Sequence, residues 1–159
     1  MSRTLSAHGL RVTVPTGWDG AISRSLAVSA DADEDSGGTV NPVLHVASFA
    51  LPAVRGDFGG DFLMNMGPDD VFVALVEYDR SSAGTPLFDH VGPRTIHGGA
   101  FERENMHRPI QGQSGHQQFY SVGGRAFCLY VAIGSHRRRD RLSRAAAMVA
   151  ATIAIDPAD

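Results

Sequence analysis

The chain contains no lysine: all 14 of its basic residues are arginine. That reads as the coding bias of a GC-rich genome. It also excludes chemistry that needs a lysine amine, such as a Schiff base or the phosphate-gripping lysine of a P-loop. The single cysteine, Cys128, rules out an intramolecular disulfide and a zinc site of several thiolates. No segment approaches the roughly 18 apolar residues of a membrane-spanning helix. The opening residues, MSRTLSAHGLRVTVP, hold neither the apolar stretch of a signal peptide nor a small-residue cleavage site followed by Cys. The expectation is therefore a cytoplasmic protein, neither secreted nor lipidated at its N-terminus. A net charge of −3 argues against wholesale binding of nucleic acid or of an anionic membrane.

What is present fits one soluble globular domain over residues 1–159, with 43% apolar and 19% charged residues. A chain of this size buries about two-thirds of its unfolded surface. Its organising stretch is Phe119–Gly134, FYSVGGRAFCLYVAIG. Gly123-Gly124 accepts the positive φ angles of a tight hairpin turn. Ala126–Ile133 is apolar throughout, so strand alternation leaves no face for water and both sides must be covered.

Leu10, Val12 and Val14 alternate with polar residues as in a half-buried strand that Pro15 ends. Trp18, the only tryptophan, sits in a Gly-rich turn and reads as a plug closing one end of the core. Ile22–Val28, Val43–Leu51 and Val71–Tyr78 follow as strands, and Phe101–Arg108 has the length of a more exposed one, facing Gln117–Val122. Asp31–Asn41 is acidic and Gly-rich but lacks the EF-hand spacing, so it reads as a solvated loop rather than a calcium site. Residues 53–70 and 79–99 read as long loops, the first a candidate lip for a binding surface. Ser135 is the expected N-cap of a helix whose apolar positions Leu142, Ala145, Ala146, Val149 and Ile153 keep helical spacing. Thr152–Ile155 is an apolar tail suited to a sheet edge.

Successive strands without βαβ alternation predict an α+β domain. It would be a mainly antiparallel sheet of about six strands, covered by a long C-terminal helix and shorter helical segments. The order of signals resembles the Mog1/PsbP-like superfamily in three places: LRVTVPTGW ending at Trp18, the Gly123-Gly124 hairpin, and the terminal helix with its apolar tail. The resemblance implies a protein-binding or scaffolding module. It carries over no partner-binding residue, cofactor or catalytic residue.

Three constellations are candidates for function. Symmetric closure of the loop Pro109–Gly115 would set His107 opposite His116 or Gln117, suited to sharing a metal or a proton. Alternation places Glu102 and Glu104 on the other face, so the pair is a weak metal site and reads first as a His-rich polar face. Cys128, in an apolar strand, predicts an inert thiol. No Gly-x-Ser-x-Gly elbow or dinucleotide fingerprint accompanies them. Arg137, Arg138, Arg139, Arg141 and Arg144 crowd the first half of the helix, against its macrodipole. They read as a solvated face pairing with Asp31–Asp35, or as the grip for an acidic protein, with Arg137, Arg138, Arg141 and Arg144 as contact residues. The helix has no aromatics to stack on bases, which disfavours nucleic acid. The resulting reading is a cytoplasmic, non-catalytic protein-binding module without cofactor. The alternative is a small-molecule or metal-binding domain, or a hydrolase, working at the face near His107 and His116.

Overall fold

The computed structural model describes residues 1–24 and 41–159. At its centre lie β5 (Val71–Tyr78) and β7 (Arg125–Ile133), the second buried at every position. They pair antiparallel, with β4 (Pro42–Ala47) and then β3 (Asp19–Arg24) beyond β5, and β6 (Ser114–Val122) beyond β7. The turn from β6 to β7 is the expected Gly-Gly pair, with φ of 57° and 79° at Gly123 and Gly124. Alternation then divides the side chains between two faces. Leu44, Val46, Val73, Leu75, Leu129 and Val131 point to one core, and Val43, Phe72, Ala74, Cys128, Tyr130 and Ala132 to the other.

The first core is closed by a second antiparallel sheet and a helix. β1 (Arg3–Ala7), β2 (Leu10–Val14) and β8 (Ala154–Ile155) form the sheet in the order β1-β2-β8. The β1–β2 hairpin turns at His8-Gly9, with φ of 53° and 75°. Helix α1 (Arg139–Ala150) is led in by one 3-10 turn, His136–Arg138, and buries Leu142, Ser143, Ala146 and Val149. Ser135 precedes that turn but makes no side-chain capping bond. Trp18 and Ile153 pack against this core as partly buried residues. The tail joins β2 as an edge strand, Leu10 facing Ile155.

The expected α+β architecture is corrected: the protein is mostly β, with two antiparallel sheets of three and five strands. Among the described residues there is one α-helix of 12 residues, and the remaining helical pieces are 3-10 segments of three to five residues. The second core is covered by irregular chain carrying Phe49, Leu51, Phe58, Phe62, Leu63, Met66, Met106 and Ile110. These covering segments are rich in Gly and Pro, which cannot sustain a helix. Ser25–Val28 of the expected second strand and Asp31–Val40 of the acidic loop lie outside the described residues. Phe101–Arg108 is not a strand. Only Glu102 bridges to Gly115, and Arg103–Asn105 make a 3-10 turn.

Residues 90–102 instead close the outer edge of β6 piecemeal. Ser121 bonds His90 and Gly92, and the Gln118 side-chain amide takes both the N–H and the C=O of Arg94 at 2.9 Å. A covered edge removes a template for unwanted strand pairing.

One buried ion pair ties the layers together. Arg125 donates from Nε and Nη2 to Glu77 at 2.9 and 2.7 Å, and both side chains are only 4% exposed. Its other N–H groups reach the carbonyls of His8, Gly9 and Asp156 at 3.2, 3.3 and 3.0 Å. The bond to Glu77 holds the guanidinium pKa above its usual value. A single side chain thus links β5, β7, the β1–β2 turn and the C-terminal tail.

Candidate functional site

The basic face of α1 follows from helical spacing: with Leu142, Ala146 and Val149 directed inward, Arg137, Arg141, Arg144 and Met148 are left exposed along one side. Arg138 and Arg141 both donate to the same carboxylate oxygen of Asp69, in the turn before β5. Those two bonds, Arg141's first, hold the Asp69 carboxyl below its ordinary range. Asp69 therefore supplies the local pairing, and the stretch expected to do so, Asp31–Asp35, lies outside the described residues. Arg139 turns back to the carbonyl of His136 at 3.0 Å. Among the described residues, Arg137 and Arg144 have no ion pair.

The expected histidine pair does not form. His116 faces Val131 across β6 and β7, on the side of the first core, where its ring lies 5.5 Å from that of Phe101. It accepts a hydrogen bond from Gln118 at 2.9 Å and also bonds the backbone of Ala100. His107 lies on the other side of the sheet, against Tyr130. Burial lowers both pKa values. The two histidines lie on opposite faces of the sheet, and no group of three or more His, Cys, Asp or Glu among the described residues could hold a metal. The hairpin reading failed because the chain from Phe101 to His107 leaves the sheet after one bridge.

His107 belongs to a different site, a cleft of about 340 Å³ between Gly56–Leu63 and His107–Ile110. Its ring stacks on Phe58 with centroids 4.0 Å apart and planes 16° from parallel. Both rings stand nearly perpendicular to Tyr130, at 89° and 86°. Leu63 and Ile110 complete the apolar lining, while Asp61 and Arg108 pair at the mouth. The Gly56–Gly59 hairpin that carries Phe58 closes with two backbone hydrogen bonds. It is also held from within: the ring of His45 donates to the carbonyl of Asp57 at 2.8 Å and accepts from Arg55 Nε at 2.8 Å. Both nitrogens of His45 are thereby used in the neutral form, and burial pushes its pKa down to about 4. The loop 53–70, a candidate lip by its sequence, lines this cleft through residues 56–61 and Leu63. Phe58 and Tyr130 were not legible as partners, because only folding brings them together.

Cys128 is fully buried, and desolvation pushes its thiol up to about 12. A thiol held protonated in this way is not a nucleophile at neutral pH. Among the described residues, no helix is long and apolar enough to cross a membrane.

Fold and sites together define a two-sheet antiparallel β protein with one helix, a basic helix face on one side and an aromatic cleft on the other. No family model, curated protein or solved structure matches this chain.

Proposed function

We propose that the protein is a non-catalytic binding module that grips an acidic protein partner with the exposed face of α1. The observation that carries this reading is the imbalance on that face: one carboxylate, Asp69, answers Arg138 and Arg141, while Arg137 and Arg144 project without a counterion among the described residues. The fold does not need these charges. The buried side of α1 is complete without them, and cations at a helix N-terminus oppose the macrodipole by a few tenths of a kcal/mol each. Met148, 73% exposed, extends the same side with an apolar contact. Guanidiniums fit carboxylates in bidentate geometry, which suits an acidic protein surface.

The buried polar groups support binding over catalysis. His45 is occupied by Arg55 and the Asp57 carbonyl, Glu77 and Arg125 by each other, and the Cys128 thiol is held neutral. The test is the double variant Arg137→Glu/Arg144→Glu, which spares the Asp69 pairs. It should fold as the wild type does and lose an acidic partner that the wild type captures stoichiometrically and releases as salt is raised. Capture unchanged by the double reversal refutes the role of this face.

A further inference from the structure

Resting on the reading of α1 as the gripping face, we propose that Asp69 is an internal stand-in for the carboxylate of an acidic partner. A segment docking on the helix would take Arg141 from Asp69 and pair with Arg137 and Arg144 beside it. Asp69 shows how this face holds a carboxylate: Arg138 and Arg141, three residues apart, converge on one of its oxygens. The same spacing recurs from Arg141 to Arg144, where no carboxylate of the described residues answers. Arg137, Arg141 and Arg144 also fall at i, i+4 and i+7, so they share one side of the helix, with Met148 next along it. Arg141 thus belongs both to the Asp69 pair and to the exposed row.

The Asp69 pair is suited to exchange rather than to bracing the fold. Side-chain exposure is 46% at Arg138, 61% at Arg141 and 62% at Asp69, and ion pairs this open to solvent are weak. Both bonds fall on a single oxygen, whereas a guanidinium meets a carboxylate best through two parallel bonds. A docking carboxylate can therefore offer Arg141 more than Asp69 does. The fold has other ties at this place. Asp70 holds the turn, accepting from the Gly67 amide at 2.8 Å and from the Ser48 hydroxyl at 2.9 Å. The chain leading into α1 is fixed by the Gly134 amide on the Asp70 carbonyl and the His136 amide on the Gly112 carbonyl, both at 2.8 Å. Among the described residues, the Asp69 side chain bonds only the two arginines.

The probe is a dodecaglutamate peptide, blocked at both ends and titrated into the full-length protein at roughly 0.1 M salt, where the Debye length is about 10 Å. Arginine Nε–H signals and the side-chain carboxyl carbon of Asp69 report the contact. The peptide should shift the signals of Arg137, Arg141 and Arg144 saturably, and the Asp69 carbon should move along the same curve as it loses Arg141. Asp69→Asn frees both guanidiniums without touching a backbone bond, so it should fold as the wild type does and bind the peptide about threefold more tightly. Asp140→Asn is the control: it removes the same charge from an exposed position on α1 that pairs with no arginine among the described residues, and it should leave the affinity within about 1.5-fold. The proposal is overturned if Asp69→Asn tightens binding no more than Asp140→Asn does, or if the Asp69 carbon stays unmoved at saturation; the helix face would then still stand as a binding surface. A peptide that shifts no arginine of α1 in any of these proteins overturns the gripping face as well.

Discussion

Removing the carboxylate of Glu77 is the sharpest test of how this fold is held. The side chains of Glu77 and Arg125 are each 4% exposed, so solvent screening cannot soften the loss. Glu77→Ala leaves a buried guanidinium with two of its donors unanswered, and breaking a pair of this kind costs about 3–5 kcal/mol. Against a typical domain stability of about 5–15 kcal/mol, that is a large share. Arg125→Met should cost more, because it also strips the donors from the carbonyls of His8 and Asp156 while leaving the Glu77 carboxylate buried and unpaired. Gly9 is spared, since its carbonyl also accepts from the amide of Asp156 at 2.8 Å. The double variant Glu77→Met/Arg125→Met removes both buried charges. Elsewhere such a replacement is often neutral or stabilising. Here two carbonyls lose their donors at about 1 kcal/mol each, so the double should remain about 2 kcal/mol below wild type. Urea unfolding of the four proteins gives these values. A Glu77→Ala loss below about 1 kcal/mol, or a double variant more stable than wild type, refutes the account.

Two further expectations follow from other buried groups. Cys128 should resist a thiol reagent at pH 8 in the native protein and react fully in denaturant, because burial raises its pKa to about 12; rapid native labelling contradicts the placement. His45 has a folded pKa of about 4 against the ordinary 6.5. The unfolded chain therefore binds the extra proton between those values, and the stability is fully present above pH 6.5 and lost as pH falls toward 4. The loss attributable to this residue is on the order of 3 kcal/mol. A His45→Gln variant should show a flatter urea midpoint over that window, and a slope equal to wild type would remove His45 as the cause.

The strands that were legible in the sequence share one property: their pattern is local. Val71–Tyr78 and Leu10–Val14 occur with the bounds that alternation or continuous apolarity suggested, and the buried character of β7 followed from having no polar position to turn outward. Arg3–Ala7 was missed because its side chains are mostly exposed. It is a strand by virtue of the His8-Gly9 turn, in which a histidine takes the left-handed conformation. Phe101–Arg108 was misread for the opposite reason. It has strand length, but the Gln118 amide and residues 90–94 already occupy part of the edge it would have needed. The basic helix face was visible as a cluster of arginines; that Asp69 would answer two of them was not, since the two sites are far apart in sequence.

Hydrophobic pattern and turn chemistry, which act over a few residues, determined that this chain makes a doubly covered antiparallel sheet with a Gly-Gly hairpin and a C-terminal helix. Which material covers each face could not be read that way. It depends on long-range closure: the β1–β2 hairpin and α1 over one core, and Gly- and Pro-rich chain over the other. The same closure joins Glu77 to Arg125, separates His107 from His116, and brings Phe58 onto His107 above Tyr130. Each of those contacts depends on where the backbone returns in space, which local propensity does not specify.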